Sequence, residues 1–156
     1  MFKPGSLWRG ALLAAVAGSR SMTPLAAVSV AAWRGVLPRN NGAPAALAHP
    51  AVVVGAMALA AGELWGDKLE SAPDRIVPAG LAARAVTGAI VGMSMAPRSY
   101  RAIAAVGGAA IAISTSFPTF AGRMRAMQSH GQTPTGLVED ALVLLATIAL
   151  VATARR

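Results

Sequence analysis

From Gly62 to Arg84 the chain reads G-E-L-W-G-D-K-L-E-S-A-P-D-R-I-V-P-A-G-L-A-A-R, with nearly uncharged apolar sequence on both sides. The stretch holds Glu63, Asp67, Glu70 and Asp74, four of the six acidic residues in the protein, together with Lys68, Arg75 and Arg84. Charges gathered between two long apolar runs predict the end of one membrane helix, a polar turn and the start of the next. The rest of the chain follows the same rule: 55% of its 156 residues are apolar, mean hydropathy is +0.56, and the apolar residues come in runs rather than at the spacing of a soluble core. Alanine and glycine dominate these runs, which suits helices packed backbone to backbone in lipid.

The net charge of +8 comes from fourteen Lys and Arg residues dispersed as singles and pairs beside the apolar runs. No basic stripe with interleaved aromatics forms, so nucleic acid is not an expected partner; the bilayer is. The absence of cysteine removes disulfides, thiol catalysis and thiolate metal sites. His49 and His130 lie far apart in predicted loops without a second ligand at metal spacing, so no metal or cofactor is expected. No phosphate loop, nucleophile elbow or His-based triad is present, which argues against an enzyme.

Along the chain, Met1 to Ala17 imitates a signal peptide, but the next apolar run follows within eight residues and an uncleaved segment is the expectation. The first apolar region, Gly10 to Trp33, is interrupted by Ser19-Arg20-Ser21-Met22-Thr23-Pro24. An intramembrane arginine and a proline there predict a broken or re-entrant helix, with Ser21 or Thr23 capping the second half and Pro24 in its first turn. A loop over Arg34 to Pro50, a second span over Ala51 to Trp65 and a third over Ile76 to Ala96 follow. The fourth region, Ala102 to Ala121, is again interrupted, by Ser114-Thr115-Ser116-Phe117-Pro118. Gly122 to Gly136 reads as a loop, and Leu137 to Ala154 as the last span.

The two interrupted stretches resemble each other, which suggests half-repeats over 7–96 and 99–156, an internal inverted repeat with a midplane site. The expected fold is an all-α polytopic membrane helical bundle with two interrupted or re-entrant segments, one domain over 1–156. If both interrupted regions turn back, Lys3, Arg9, Arg34, Arg39, Arg98, Arg101, Arg123 and Arg125 share one face and obey the positive-inside rule. If all five regions cross, the cations divide evenly and give no orientation.

The candidate binding residues are Arg20, Ser21, Pro24, Glu63, Asp67, Lys68, Arg84 and Ser116. Arg84 lies about two turns inside the third span and needs a partner, for which Glu63 on the neighbouring helix is the nearest candidate in sequence. Arg20 and Arg84 facing one cavity would hold a small anion against half-helix N-termini, with Glu63 or Asp67 neutralising the site. That reading makes the protein a transporter or channel for a small anion or a proton-coupled solute. The alternative is a non-transporting assembly or scaffold protein whose buried ion pairs fix helix register. A hydrated cavity reaching both arginines marks the first; arginines sealed by carboxylates and carbonyls mark the second. Gly62-x3-Gly66 and Gly88-x3-Gly92 permit close helix contact and a homodimer.

The run Glu63-x3-Asp67-Lys68, with Arg75-x2-Pro78-Ala79-Gly80 after it, and the element Gly18-x-Arg20-x3-Pro24 resemble the signatures of a widespread bacterial family of small integral membrane proteins classed as a domain of unknown function. The resemblance implies a multi-pass protein of the bacterial inner membrane and marks Arg20, Pro24, Glu63, Asp67, Lys68 and Arg75, with no settled activity.

Overall fold

The computed structural model describes residues 7–66 and 76–155, so the expectations for Lys3, Asp67, Lys68, Glu70, Asp74 and Arg75 lie outside the described residues. The described chain is helical: α1 (Leu7–Ser19), α2 (Met22–Trp33), α3 (Pro50–Gly66), α4 (Pro78–Met95), α5 (Arg101–His130) and α6 (Gln132–Ala152), with short 3-10 turns at Ala45–Ala48, Arg98–Tyr100 and Thr153–Arg155.

The first apolar region is broken at Arg20 and Ser21, and the chain reverses there. Pro24 has no N–H to offer the Arg20 carbonyl and its ring crowds that oxygen, which removes a helical hydrogen bond at the break. Gly10 at the start of α1 lies against Gly92 and Met95 near the end of α4, whereas Gly18 lies against Ala112 and Thr115 of α5. After α2 the chain returns to the same end of α4: Gly42 N donates to Ala96 O and Arg98 N to Asn40 O. The pair α1–α2 is therefore an antiparallel hairpin with an open end beside the α4–α5 turn and a tip at Arg20.

Asn41 secures the open end. Its side chain donates to Pro38 O and accepts from Ala43 N, and its backbone bridges to Pro97. Trp8, Trp33 and Tyr100 stand exposed at this end, and Arg9 stacks on Trp8 at 5.3 Å. Trp65 stands exposed near the tip end.

Helices α1, α4 and α5 pack closely through glycine. Gly88 faces Gly108 and Ala112, and Gly92 faces Ala104 and Gly108, close enough that an added Cβ would strike backbone oxygens. The Gly88-x3-Gly92 pattern thus serves packing inside one chain rather than a contact between copies. Gly62 and Gly66 face open space.

Two sequence expectations are corrected. Ser114 to Pro118 does not interrupt its helix, since α5 runs unbroken from Arg101 to His130 with Pro118 inside. The hydroxyls around the proline bond back along the helix, Thr115 to Ile111 O, Ser116 to Ala112 O and Thr119 to Thr115 O, and no charge lies within the stretch to demand a reversal. The predicted loop over Gly122 to Gly136 shrinks to Gly131, whose φ of +83° turns α5 into α6. The two resembling stretches thus take different conformations.

Polar groups share the interior with an apolar core around Leu13, Val28 and Val91, and much of the surface is apolar. Ser29, Thr87, Ser94, Ser116, Thr147 and Asp140 are buried with Arg20 and Arg84, while Val54, Leu59, Ile103, Val106, Leu142 and Ile148 are exposed. Among the described residues, two helical stretches, Arg98–His130 and Gln132–Ala152, are long and apolar enough to cross a membrane. Gly108→Ala is expected to destabilise the protein by roughly 1–3 kcal/mol, because the new methyl meets the Gly88 carbonyl with no room to give. Gly62→Ala, on an open helix face, is expected to be neutral or to stabilise by up to about 1 kcal/mol. Thermal unfolding of both variants in detergent checks the pair.

Candidate functional site: the charged tip of the hairpin

Reversing a helix strands backbone groups on both sides of the break: carbonyls at the end of α1 and N–H groups at the start of α2. Each side receives an ionised partner from another helix. Arg84 of α4 donates from Nε to Gly18 O at 3.0 Å and from Nη1 to its own-helix Gly80 O at 3.0 Å. Glu63 of α3 accepts from Ser21 N and Ser21 Oγ at 2.9 Å each through Oε1, and from Met22 N at 2.9 Å through Oε2. Cation on carbonyls and anion on N–H groups match the dipoles of the two half-helices.

The expectation that Ser21 or Thr23 caps α2 is therefore corrected. Ser21 has helical backbone angles, φ −72° and ψ −41°, and makes no side-chain cap bond. The cap comes from α3, and Ser21 gives its hydroxyl to the same carboxylate. Likewise, Glu63 is spent on the α2 start rather than placed by an α3–α4 hairpin against Arg84; α3 packs on α2.

Arg20 sits between the two half-helices and is 0% exposed. Its guanidinium pairs with Asp140 and lies 3.7 Å from Glu139, both on α6, and Nη1 is 3.5 Å from Glu63 O. Glu139 also binds Arg123 of α5 at 2.8 Å. Thr115 of α5 donates to Ala15 O of α1 at 3.1 Å. Among the described residues, three guanidinium groups and three carboxylates from four helices and the hairpin tip converge here.

Of the residues singled out in the sequence, Arg20, Ser21, Glu63 and Arg84 are brought together. Pro24 is buried in the first turn of α2, where its missing N–H costs little. Ser116 is buried and bonded within its own helix to Ala112 O, and no described contact takes it to the cluster. Asp67 and Lys68 lie outside the described residues. Glu139, Asp140, Arg123 and Thr115 were not anticipated as site residues. The available signal was that Glu139 and Asp140 are the only acids after Asp74, adjacent to each other and within a helix.

Both arginines are buried, Arg20 at 0% and Arg84 at 5% exposure. Among the described residues no group of three His, Cys, Asp or Glu side chains is placed to hold a metal ion. Compared with family models, curated proteins and solved structures, the chain matches none of them.

Asp140→Asn leaves the buried Arg20 charge short of its closest partner and is expected to cost about 3–5 kcal/mol of stability. The double change Arg20→Met with Asp140→Leu removes both charges and is expected to recover much of that loss. A double-mutant cycle by chemical unfolding in mixed micelles checks both values.

Proposed function

We propose that the chain is a multi-pass helical protein of the bacterial inner membrane, with α3 to α6 crossing and the α1–α2 hairpin entering and returning. We infer further that the ion cluster is a structural lock, which makes the protein an assembly or scaffold module rather than a solute carrier. The exposed apolar surface supports the first part, since apolar surface of this extent is poorly tolerated in water and ordinary in hydrocarbon. Charge among the described residues supports an orientation: Arg9, Arg34, Arg39, Arg98 and Arg101 belong to the open end, against Arg123 and Arg125 at the tip end, which favours a cytoplasmic open end.

The observation that carries the lock is the sealing of Arg20 at 0% exposure between carboxylates of α6 and the carbonyl of Glu63. An anion pathway needs an arginine reachable from water. One observation favours a second reading, in which this is the closed state of an anion transporter. The Glu63 carboxylate sits on the α2 N–H groups where a solute anion would sit, so its withdrawal would expose an anion seat.

Single cysteines test the topology, since the chain has none of its own. Leu7→Cys, Asn41→Cys and Ser99→Cys are expected to react with an impermeant maleimide from the cytoplasmic side, and Ser129→Cys from the other. Leu7 labelling opposite to Asn41 would replace the hairpin with a full crossing. In vesicles loaded with chloride, purified protein is expected to add no anion flux over protein-free controls. Saturable flux that Arg20→Met abolishes would replace the lock with the transporter.

A further inference from the structure

The open end of the hairpin carries charge of one sign. Among the described residues every carboxylate, Glu63, Glu139 and Asp140, belongs to the tip and is committed there. The tip arginines are likewise answered within the chain, Arg84 by Gly18 O and Gly80 O, Arg20 and Arg123 by the acids of α6. Arg9, Arg34, Arg39, Arg98 and Arg101 stand at the other end, and among the described residues none of these five forms an ion pair or donates a side-chain hydrogen bond. Folding gathers three of them into one corner. Arg98 N donates to Asn40 O at 3.0 Å, the backbone bridge from Asn41 to Pro97 continues that pairing, and Gly42 lies directly against the Arg101 side chain. Arg39, Arg98 and Arg101 are therefore exposed on two segments held together by their own backbone. A hollow of about 280 Å³ adjoins the corner; of its polar side chains Asn41 is spent on Pro38 O and Ala43 N, and Arg39 brings the charge.

We propose that the corner formed by Arg39, Arg98 and Arg101 binds the phosphodiester headgroup of an anionic phospholipid, an inference that rests on the membrane reading above. Guanidinium groups stay protonated, and their planar forks match phosphate oxygens two at a time. Like charges crowded without internal counterions repel one another, so an anion arriving from outside relieves the corner as well as pairing with it. A headgroup with net negative charge does this; a zwitterionic one brings its own cation into the same cluster and does not. Depth agrees: Trp8, Trp33 and Tyr100 are exposed at this end, residue types that mark the level of lipid headgroups, and Arg9 stacks on Trp8 beside them.

The test offers the full chain, purified in a neutral detergent, phosphatidylglycerol and phosphatidylcholine of matched acyl chains at equal concentration, and counts bound lipid by native mass spectrometry. Phosphatidylglycerol is expected to be retained several-fold over phosphatidylcholine, with the preference falling as salt is raised. The triple change Arg39→Gln, Arg98→Gln and Arg101→Gln is expected to abolish the preference. Arg125→Gln, which removes an exposed arginine at the tip end, is expected to leave it intact. Each of the three single variants is expected to lower the preference in part, which keeps a readout should the triple variant misfold. Equal retention of the two lipids, a preference untouched by the corner variants or removed by Arg125→Gln, or displacement of phosphatidylglycerol by an equal concentration of inorganic phosphate or of a polyglutamate peptide would each overturn the proposal. Micelles have no sides, so the outcome is independent of orientation. Release of the chain from membranes by alkaline carbonate would instead overturn the membrane reading itself. A carbonate-resistant chain without lipid preference overturns the corner alone.

Discussion

The backbone at the hairpin tip sets the terms for the whole bundle. A helix that reverses leaves carbonyls on one side and N–H groups on the other, and the apolar side chains around it supply no partner for either. Here the two sets are met by opposite charges from different helices, Arg84 on Gly18 O and Glu63 on the N–H groups of Ser21 and Met22. Meeting the backbone's needs thus ties α3 and α4 to the hairpin. Arg20, emerging at the same point, then ties in α6 through Asp140, and Arg123 ties α6 to α5.

Close packing and charge depend on each other. Gly18, Gly88, Gly92 and Gly108 let α1, α4 and α5 approach until backbone oxygens touch neighbouring backbone. That approach excludes bulky side chains and leaves room at the tip level for guanidinium groups that reach across rather than outward. Gly18 shows the coupling at one residue: its missing side chain admits Thr115, which bonds Ala15 O, and its carbonyl receives Arg84. A side chain at Gly18 would press on the same neighbours that hold the tip together.

The charged members of the cluster stood out in sequence because an ionised residue in an alanine-rich run has few reasons to be there. Arg20, Glu63 and Arg84 were legible for that reason, and Pro24 beside Arg20 made the break legible too. Their pairing was not. Sequence proximity linked Glu63 to Arg84, but a carboxylate goes where the electrostatic demand is greatest, and three donors at the α2 start outbid a neighbour on the next helix. Asp140 was misjudged because the start of α6 was placed at Leu137 instead of Gln132, which turned a residue in the third helical turn into one at a helix end. Pro118 was read as a second break by analogy with Pro24. The difference is chemical: hydroxyls at 115, 116 and 119 can serve carbonyls locally, whereas a guanidinium carries more donors than one helix face can meet. The polar turn over 67–75, prominent in the sequence, lies outside the described residues.

Ion pairs are a weak source of net stability when buried, because desolvation consumes most of the attraction. Their value here is discrimination. On the proposed membrane reading, apolar side chains cannot choose between alternative helix arrangements, because in hydrocarbon every exposed leucine is as well solvated as a buried one. A guanidinium displaced from its carboxylate by one helical turn, about 5 Å, faces an apolar surface with no partner, and so does the carboxylate it left. With charges contributed by α3, α4, α5, α6 and the tip itself, a wrong register of any one helix strands at least two of them. The native arrangement is thereby separated from its competitors by the cost of an uncompensated charge, a gap that alanine and glycine packing alone would not provide.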